Sequence, residues 1–237
     1  MIKDSIAILC RGESLKEIEL LPDVEEYIIV NGFSDEFELD YIKNVLTGKK
    51  ITHLISLGSL VHGHPSGARN GCFGAMVAKN NFKQFNIERI VLSYIEECLP
   101  HNANSPVVHN VKNRDDKNIP VSCLGDDNKT LMIKNHPRYK FTYPSCGVGA
   151  IGYSSVDLKK KNIYIIGMDF YDGSGYLERG IYKSQEAAIR RSADEGKQMR
   201  EFFPGFIEKQ PEINFTMYTY SDFNTQLNNL NIINLRQ

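Results

Sequence analysis

Short, nearly continuous apolar runs alternate with amphipathic stretches through the first sixty residues of the chain. The apolar runs at 5–10, 27–30 and 51–57 predict three β-strands, and the stretches at 14–20 and 35–46 predict helices between them. A strand that is apolar throughout, rather than at every second position, is typical of a sheet covered on both faces. The pattern predicts a doubly wound α/β fold, with a mainly parallel, Rossmann-like sheet and helices on both sides.

The alternation continues to the end of the chain with one interruption. A helix is predicted at 74–85 and a strand at 89–94, after which an irregular insertion rich in Asn, Asp, Pro and Lys extends from about 97 to 143. Within it only 121–124 and 131–133 have strand-like composition. The elements predicted after it are a helix at 145–158, a strand at 162–166, a Gly- and Tyr-rich loop at 169–182, a helix at 184–203, a strand at 215–220 and a short terminal helix. We expect residues 1–237 to form one domain, with lid or insertion segments at about 97–143 and 171–183.

Composition narrows the class of protein. The chain carries 28 Lys and Arg against 29 Asp and Glu, a net charge of −1, so it lacks the positive field that binds nucleic acid. Its apolar runs are too short to cross a bilayer, and its first residues do not resemble a signal peptide. The five cysteines are scattered without a Cys-x-x-Cys pair, which favours reduced, buried thiols. We therefore expect a cytoplasmic protein with no transmembrane segment and no nucleic-acid partner.

The first segment that could carry chemistry lies between the first strand and the first helix, at residues 10–15 (Cys-Arg-Gly-Glu-Ser-Leu). Ser14 and Glu17 have the spacing of a capping box, which would start the helix and leave backbone N–H groups facing the carboxyl edge of the sheet. Beside Arg11 and Gly12 an anion could dock there. An ordinary tight turn is the alternative, because a dinucleotide motif has more glycines and the P-loop lysine is missing.

The second segment, residues 144–150 (Pro-Ser-Cys-Gly-Val-Gly-Ala), begins a predicted helix with small residues. Ser145, Cys146 and Gly147 would let a carboxylate or phosphate approach the backbone. Close packing of the helix on the sheet explains the same composition equally well.

The third segment, residues 167–176, follows a predicted strand directly and begins Gly-Met-Asp-Phe-Tyr. Asp169 would stand at the strand's carboxyl end, where a carboxylate can accept hydrogen bonds from a ribose. Tyr171 and Tyr176 lie on a loop with two glycines and could donate two phenolic hydrogen bonds to a phosphate. Amphipathic packing is the commoner role of tyrosine.

Metal chemistry has weak support in the sequence. His62 and His64 form a close pair, but no third ligand stands at a recognisable spacing. We therefore expect no metal site and no cofactor.

Together these segments resemble the bacterial sialyltransferases of glycosyltransferase family 42. Residues 11–15 resemble the family's Asn-Gly-Pro-Ser-Leu turn, residues 146–148 its Ser-Gly-Val, and residues 167–171 its Gly-Ile-Asp-Phe-Tyr. Asn31 matches an Asn that contacts the nucleotide in that family, and residues 217–221 are similar to the strand and turn that close the nucleotide site. The resemblance implies a substrate-binding set of Arg11, Gly12, Ser14, Asn31, Ser145, Cys146, Gly147, Gly167, Asp169 and Phe170.

The resemblance also implies a reaction. A nine-carbon acidic sugar of the sialic acid type would pass from a CMP-sugar donor to a hydroxyl of a glycan acceptor, with inversion and without metal. Tyr171 and Tyr176 would grip the phosphate of the departing CMP. Members of that family can form tetramers, which leaves a homo-oligomer open for this chain.

The chain departs from the family pattern at three places, one of which is Leu57, where the resemblance implies another nucleotide-contacting Asn. Arg11 replaces an Asn, which could bring positive charge to a phosphate or carboxylate and implies different cytosine or ribose recognition. The family's general-base histidine follows the second tyrosine, whereas this chain has no histidine after His136. Since a base must lie within reach of the acceptor hydroxyl, the candidates are His64 first, then His62, His136, Glu178 and Glu186.

Three other functions stay open on the sequence. A related transferase could use another CMP-activated acidic sugar such as Kdo, with a different base. A pterin diphosphokinase-like enzyme would need ATP and magnesium. A noncatalytic nucleotide-binding protein would bind CMP without consuming a donor.

Overall fold

The computed structural model describes residues 1–30, 33, 36–57, 89–94, 118–120, 130–134, 145–172 and 186–236. The strands within these ranges are β1 (Ile2–Leu9), β2 (Val24–Val30), β3 (Ile51–Leu57), β4 (Arg89–Tyr94), β5 (Asn118–Pro120), β6 (Thr130–Lys134), β7 (Asn162–Ile166), β8 (Asn214–Thr219) and β9 (Leu230–Asn234). The helices are a 3₁₀ helix Glu13–Leu20, a 3₁₀ turn Glu36–Glu38, α1 (Asp40–Leu46), α2 (Cys146–Gly152) with a π-helical extension Tyr153–Asp157, and α3 (Glu186–Glu208).

The nine strands form one sheet in the order β5-β6-β4-β3-β2-β1-β7-β8-β9. Every neighbouring pair is parallel except β5 with β6. From β1 the chain adds strands outward on one side, and it then returns to place β7 on the other side of β1. This reversal makes the carboxyl ends of β1 and β7 the switch point of the sheet, where ligands of open α/β folds bind.

Two hydrophobic clusters cover the two faces of the sheet. Ala7 and Leu9 of β1 belong to one cluster, with residues of the 3₁₀ helix Glu13–Leu20 and α1. Ile6 and Ile8 belong to the other, with α2 and α3. Since β1 is apolar at successive positions, both of its faces are buried. The doubly wound, mainly parallel fold with helices on both faces is therefore confirmed.

Strand predictions agree with the structure more closely than helix predictions do. The predicted bounds of β3, β4 and β7 are confirmed to the residue, whereas β1 and β2 each begin three residues earlier than predicted. The predicted helix at 35–46 is divided into a 3₁₀ turn and α1. Helix α3 continues past Pro204 to Glu208, although a proline inside a helix removes one hydrogen bond.

The predicted terminal helix is wrong, because residues 230–234 form strand β9 on the open edge of β8. The Asn229 side chain donates hydrogen bonds to the carbonyl oxygens of Ile207 and Gln210, which fixes the chain just before β9. Strands β5 and β6 lie inside the predicted insertion at 97–143. The rest of that insertion, with the predicted strand at 121–124, lies outside the described residues, as do the predicted helix at 74–85 and residues 173–182 of the predicted loop.

Candidate active site

An open cleft lies at the switch point of the sheet. Its described lining comes from the ends of β1, β2 and β7, the start of α2, and α3. These residues are Cys10, Arg11, Gly12, Val30, Ser145, Cys146, Gly147, Gly167, Met168, Asp169, Phe170, Tyr171 and Met199. The three segments singled out in the sequence, far apart along the chain, thus meet in one cleft.

The floor of the cleft is closed by backbone hydrogen bonds between the segments that follow β1 and β7. Cys10 N donates to Ile166 O at 2.8 Å, and Gly12 N donates to Gly167 O at 2.7 Å. A Cβ atom on Gly12 would lie 2.5 Å from Gly167 O, and one on Gly167, whose φ is +77°, would lie 2.3 Å from Cys10 O. These two glycines are therefore required by the close approach of the two segments, independently of any ligand.

Asp169 connects the turns that follow β1, β7 and β8. Its Oδ2 accepts from the backbone N–H of Ser14 at 2.7 Å. Its Oδ1 accepts from the Thr219 hydroxyl at 3.0 Å and the Tyr220 N–H at 2.9 Å. Asp169 is buried, so these donors satisfy a carboxylate that would otherwise be costly to bury. Asp169 lines the cleft as predicted. Its hydrogen bonds hold the neighbouring turns of the protein together, and a contact with a ribose stays a prediction.

The predicted capping box is wrong. The 3₁₀ helix begins at Glu13, its N-cap is Gly12, and no side chain caps it. The Ser14 hydroxyl instead accepts from Gly167 N at 2.9 Å and donates to Tyr218 O at 3.3 Å. Glu17 accepts from the Tyr220 hydroxyl at 2.6 Å. Both side chains therefore hold the helix to the ends of β7 and β8, and Ser14 is buried beneath the cleft.

Phe170 is predominantly a core residue. Its ring lies 4.4 Å from that of Phe223 and 6.1 Å from that of Phe203, centroid to centroid. The guanidinium of Arg200 lies 5.2 Å from the same ring centroid, within range of a cation–π interaction. A substrate role for the Phe170 ring stays a prediction, whereas its packing between α3 and the turn after β8 is observed.

Tyr171 lies at the rim of the cleft, where it is partly buried against the cluster that contains α3. Its φ is +60° and that of Phe170 is +51°. Two successive non-glycine residues in the left-handed region are uncommon, and each such residue costs about 1 kcal/mol or more. The chain therefore turns sharply after β7 in a conformation that surrounding contacts must hold.

Arg11 lines the cleft and forms an ion pair that the sequence does not reveal. Its Nε donates to Glu36 Oε1 at 2.7 Å, and the two side chains are 14% and 2% exposed. Glu36 stands in the acidic run Asp-Glu-Phe-Glu, which is typical of a solvated helix start, so nothing in the pattern distinguished a buried carboxylate. Among the described lining residues Arg11 and Asp169 carry the formal charges, and both are engaged by other protein groups.

The segment at 144–150 begins a helix, as predicted, and its role in binding a ligand stays a prediction. Ser145 is the N-cap of α2, and its hydroxyl accepts from Val148 N at 3.2 Å. A Cβ atom on Gly147 would lie 2.8 Å from Cys10 Sγ, so the missing side chain allows α2 to pack on the end of β1. Burial, together with the charge of Asp169 and with Cys146, raises the pKa of the Cys10 thiol far above its ordinary value, which keeps that thiol neutral.

A second polar network lies beside Tyr171. Arg200 of α3 contacts the carboxylate of Asp172, donates to Ser221 Oγ at 2.9 Å, and lies 3.0 Å from Asp222 Oδ1. Ser221 Oγ donates to Asp172 Oδ2 at 2.6 Å. Partial burial alone would raise the pKa of Asp172, but the hydrogen bonds from Ser221 and Arg200 outweigh it and hold that pKa below its ordinary value.

Several predicted site residues lie outside the described residues. These are Asn31, His62, His64, His136, Tyr176 and Glu178. Glu186 belongs to the first turn of α3, but its side chain is not described. Every described member of the predicted substrate set except Ser14 lines the cleft, and Ser14 is buried beneath it. Substrate contacts, the base and the second tyrosine stay predictions.

No group of three or more His, Cys, Asp or Glu side chains in the described part of the chain is arranged to hold a metal ion.

None of the helices within the described ranges combines the length and apolar character needed to cross a membrane.

Comparison with known proteins gives one structural likeness. No family model and no curated protein matches the chain. A solved structure of the sialyltransferase CstII from Campylobacter jejuni, in complex with the substrate analogue CMP-3FNeuAc, is similar with a TM-score of 0.52 and 18% sequence identity. The match covers 96% of this chain and 85% of that one. At this identity the likeness establishes a shared fold over most of the chain.

Proposed function

We propose that this protein is a glycosyltransferase that moves an acidic nine-carbon sugar of the sialic acid type from a CMP-sugar donor to a glycan hydroxyl. In the proposed reaction the anomeric configuration is inverted and no metal takes part. The donor lies in the switch-point cleft, and the acceptor approaches from the side of Tyr171.

One observation carries this proposal. Residues 10–12, 145–147 and 167–171, which overlap the three motifs that resemble those of family 42, line a single cleft at the switch point. The pairing of β1 with β7 brings two of the segments together, and the start of α2 joins them at the same cleft. The convergence supports a common ligand for the three segments, and the motifs favour a CMP-sugar as that ligand.

The structural likeness supports the same ligand class. The similar structure is that of a sialyltransferase, and it was solved with CMP-3FNeuAc. Fold alone does not determine activity, so the argument for this chain depends on the fold together with the motif residues that line its cleft.

The described charges favour hydrogen-bond donors as the groups that stabilise the leaving phosphate. Departure of CMP leaves an oxocarbenium-like sugar and adds negative charge to a phosphate oxygen. Arg11 is paired with Glu36, so little positive charge from that pair is offered to the ligand. Hydroxyl donors preset at the phosphate, which we assign to Tyr171 and Tyr176, would stabilise the transition state more than the ground state.

The acceptor needs a general base, and we propose His64 for that role. A neutral imidazole can take the proton of the attacking hydroxyl near neutral pH. We expect kcat to follow a bell-shaped or one-sided pH profile. This profile is expected to be lost in His64→Ala and kept in His62→Ala. An unchanged profile in His64→Ala would move the assignment to another candidate.

A thermal-shift panel tests the ligand class directly. We expect CMP and CDP to raise the Tm in the absence of magnesium, while AMP and ATP raise it little, because binding to the native state stabilises it. Stabilisation by ATP only with magnesium would favour the diphosphokinase alternative.

An activity assay separates the proposed donor from its nearest alternative. We expect the enzyme to release CMP from CMP-sialic acid but not from CMP-Kdo, and we expect EDTA to leave this release unchanged.

Tyr171→Phe tests the phosphate role. Removing one preorganised donor typically lowers kcat by about 10²-fold or more, and we expect this loss with little change in CMP affinity. Tyr164→Phe is the matched control, because Tyr164 lies on β7 but packs against the opposite face of the sheet. Equal turnover in Tyr171→Phe and in the control would contradict the proposal.

A further inference from the structure

Arg200 of α3 contacts both chain neighbours of Tyr171. Its guanidinium lies against the ring of Phe170, 5.2 Å from the centroid, and it forms an ion pair with the carboxylate of Asp172. The same guanidinium donates to Ser221 Oγ at 2.9 Å. A planar guanidinium with several donors can make these contacts simultaneously, which the single ammonium group of a lysine cannot.

Gly196, one helical turn before Arg200, meets the same segment at its backbone. A Cβ atom at this position would lie 2.1 Å from the carbonyl oxygen of Phe170 and 3.6 Å from Cβ of Tyr171. Residues four apart lie on the same face of a helix. One face of α3 therefore presses on the main chain at Phe170 and holds the side chains on either side of Tyr171.

These contacts act on a segment whose backbone conformation is unfavourable by itself. Phe170 and Tyr171 both have positive φ angles, +51° and +60°. Non-glycine residues keep such a conformation when surrounding contacts over-determine it. The turn is closed by a hydrogen bond from Asp172 N to Asp169 O at 2.9 Å, and Asp172 is the residue that Arg200 and Ser221 bind.

We infer that Arg200 is a positioning residue that fixes the place of the Tyr171 hydroxyl by holding the turn at 169–172 against α3. This inference rests on the proposed phosphate role of Tyr171. Without Arg200 the turn relaxes toward conformations with negative φ, and the phenol leaves its place at the cleft. Because misplacement of a catalytic group by about 1 Å can cost about 10²-fold in rate, the effect falls on kcat more than on donor binding.

A double-mutant cycle between Arg200 and Tyr171 tests this inference. In Arg200→Met we expect kcat for CMP release to fall at least about tenfold with KM for the donor changed less than about twofold. In the Tyr171→Phe background the same change is expected to lower kcat by less than twofold, because the group that Arg200 positions is already missing. Arg200→Lys keeps the positive charge but lacks the planar set of guanidinium donors, so its kcat is expected to be close to that of Arg200→Met. Lys197→Met is the matched control, since Lys197 is an exposed cation on the same helix.

The inference would be overturned if the fold-losses in kcat of Arg200→Met and Tyr171→Phe simply multiplied in the double variant. An unchanged kcat in Arg200→Met would overturn it as well. Full turnover in Tyr171→Phe with the expected loss in Arg200→Met would instead show that the phosphate role is wrong and that Arg200 acts on something else.

Hydrogen exchange gives a readout that does not require activity. The Asp172 amide is expected to exchange at least about tenfold faster in Arg200→Met than in the wild type or Lys197→Met, because the turn that protects it opens more often. Unchanged protection would overturn the inference whatever the enzyme assays give. If Arg200→Met does not fold, Arg200→Lys carries both measurements.

Discussion

At the scale of single residues, Asp169 is the most constrained group of the candidate site. Two backbone N–H groups and one hydroxyl converge on its buried carboxylate from two segments, the 3₁₀ helix after β1 and the end of β8. An asparagine in either orientation would direct its NH₂ group at one of the two backbone N–H groups, those of Ser14 and Tyr220. The position therefore requires an acceptor at both of its oxygens.

We predict that Asp169→Asn lowers the free energy of unfolding by about 2 kcal/mol, the typical cost of leaving a buried donor without its acceptor. Urea denaturation followed by circular dichroism measures this loss. Asp40→Asn is the control, because Asp40 is exposed in the first turn of α1. Equal midpoints for the two variants would show that Asp169 does not organise the turns.

A second residue-scale prediction concerns the thiols. Cys10 and Cys146 are buried, and the pKa of Cys10 is raised by burial above all. Since the thiolate is the reactive form, iodoacetamide at pH 8 is expected to leave both unlabelled in the native protein and to label them in urea. Peptide mass spectrometry distinguishes the two states, and rapid native labelling of Cys10 would contradict the buried, neutral thiol.

The residues that sequence analysis misjudged are those whose partners lie far away along the chain. The spacing of Ser14 and Glu17 is that of a capping box, yet their side chains bind groups more than 150 positions away. Glu36 has the same local context as a solvated acid, and only the fold brings Arg11 to it. Local spacing contains no information on such partners. Strand ends and glycines have local signatures, which is why the sequence predicts that Asp169, Gly12 and Gly147 lie at the cleft.

At the scale of elements, α3 has two different faces, which its glycines reveal. A Cβ atom on Gly205 would have nothing within 4 Å, whereas one on Gly196 would collide with the carbonyl oxygen of Phe170. Replacing glycine by alanine is therefore expected to change the free energy of unfolding in opposite directions at these two positions of one helix.

We predict that Gly205→Ala raises the free energy of unfolding by about 0.5–1 kcal/mol, because alanine loses less backbone entropy in a helix. Gly196→Ala is expected to lower it by about 1–3 kcal/mol, since the main chain at Phe170 must move. Thermal unfolding of both variants beside the wild type checks the signs. A stabilised Gly196→Ala would mean that α3 does not press on this turn.

Elements were predictable where a strand is a mainly apolar run, and less so at an edge of the sheet. Strands β3, β4 and β7 are mainly apolar runs, and their predicted bounds agree with the structure to the residue. Strand β9 is only partly buried and rich in asparagine. Its sequence therefore shows neither a continuous apolar run nor an alternation of apolar and polar residues. It forms because β8 offers it an edge to pair with, which is a tertiary cause that no local pattern contains.

At the scale of the whole molecule, the candidate site is tied to stability at alkaline pH through Tyr220. Burial, followed by the hydrogen bond to Glu17, raises the pKa of Tyr220 to about 12. In the unfolded chain tyrosine titrates near pH 10, roughly. The stabilisation is therefore complete below about pH 10 and is lost as the pH rises toward about 12, because the unfolded state loses its proton first.

We predict that Tyr220→Phe is less stable than the wild type at pH 8 and that this difference shrinks at pH 11. Urea midpoints of the two proteins at both pH values measure it. A difference that stays constant or widens at pH 11 would contradict the bond between Tyr220 and Glu17 as the link from the 3₁₀ helix to the end of β8.

The glycines under the cleft have a consequence for inhibition. At Gly12, Gly147 and Gly167 any larger side chain would strike the protein itself before it reached a bound compound. A drug seated on this floor would touch main-chain atoms at positions where mutation damages folding. Few resistance mutations would then be tolerated in that part of the surface, so an inhibitor is best designed to make its closest contacts there.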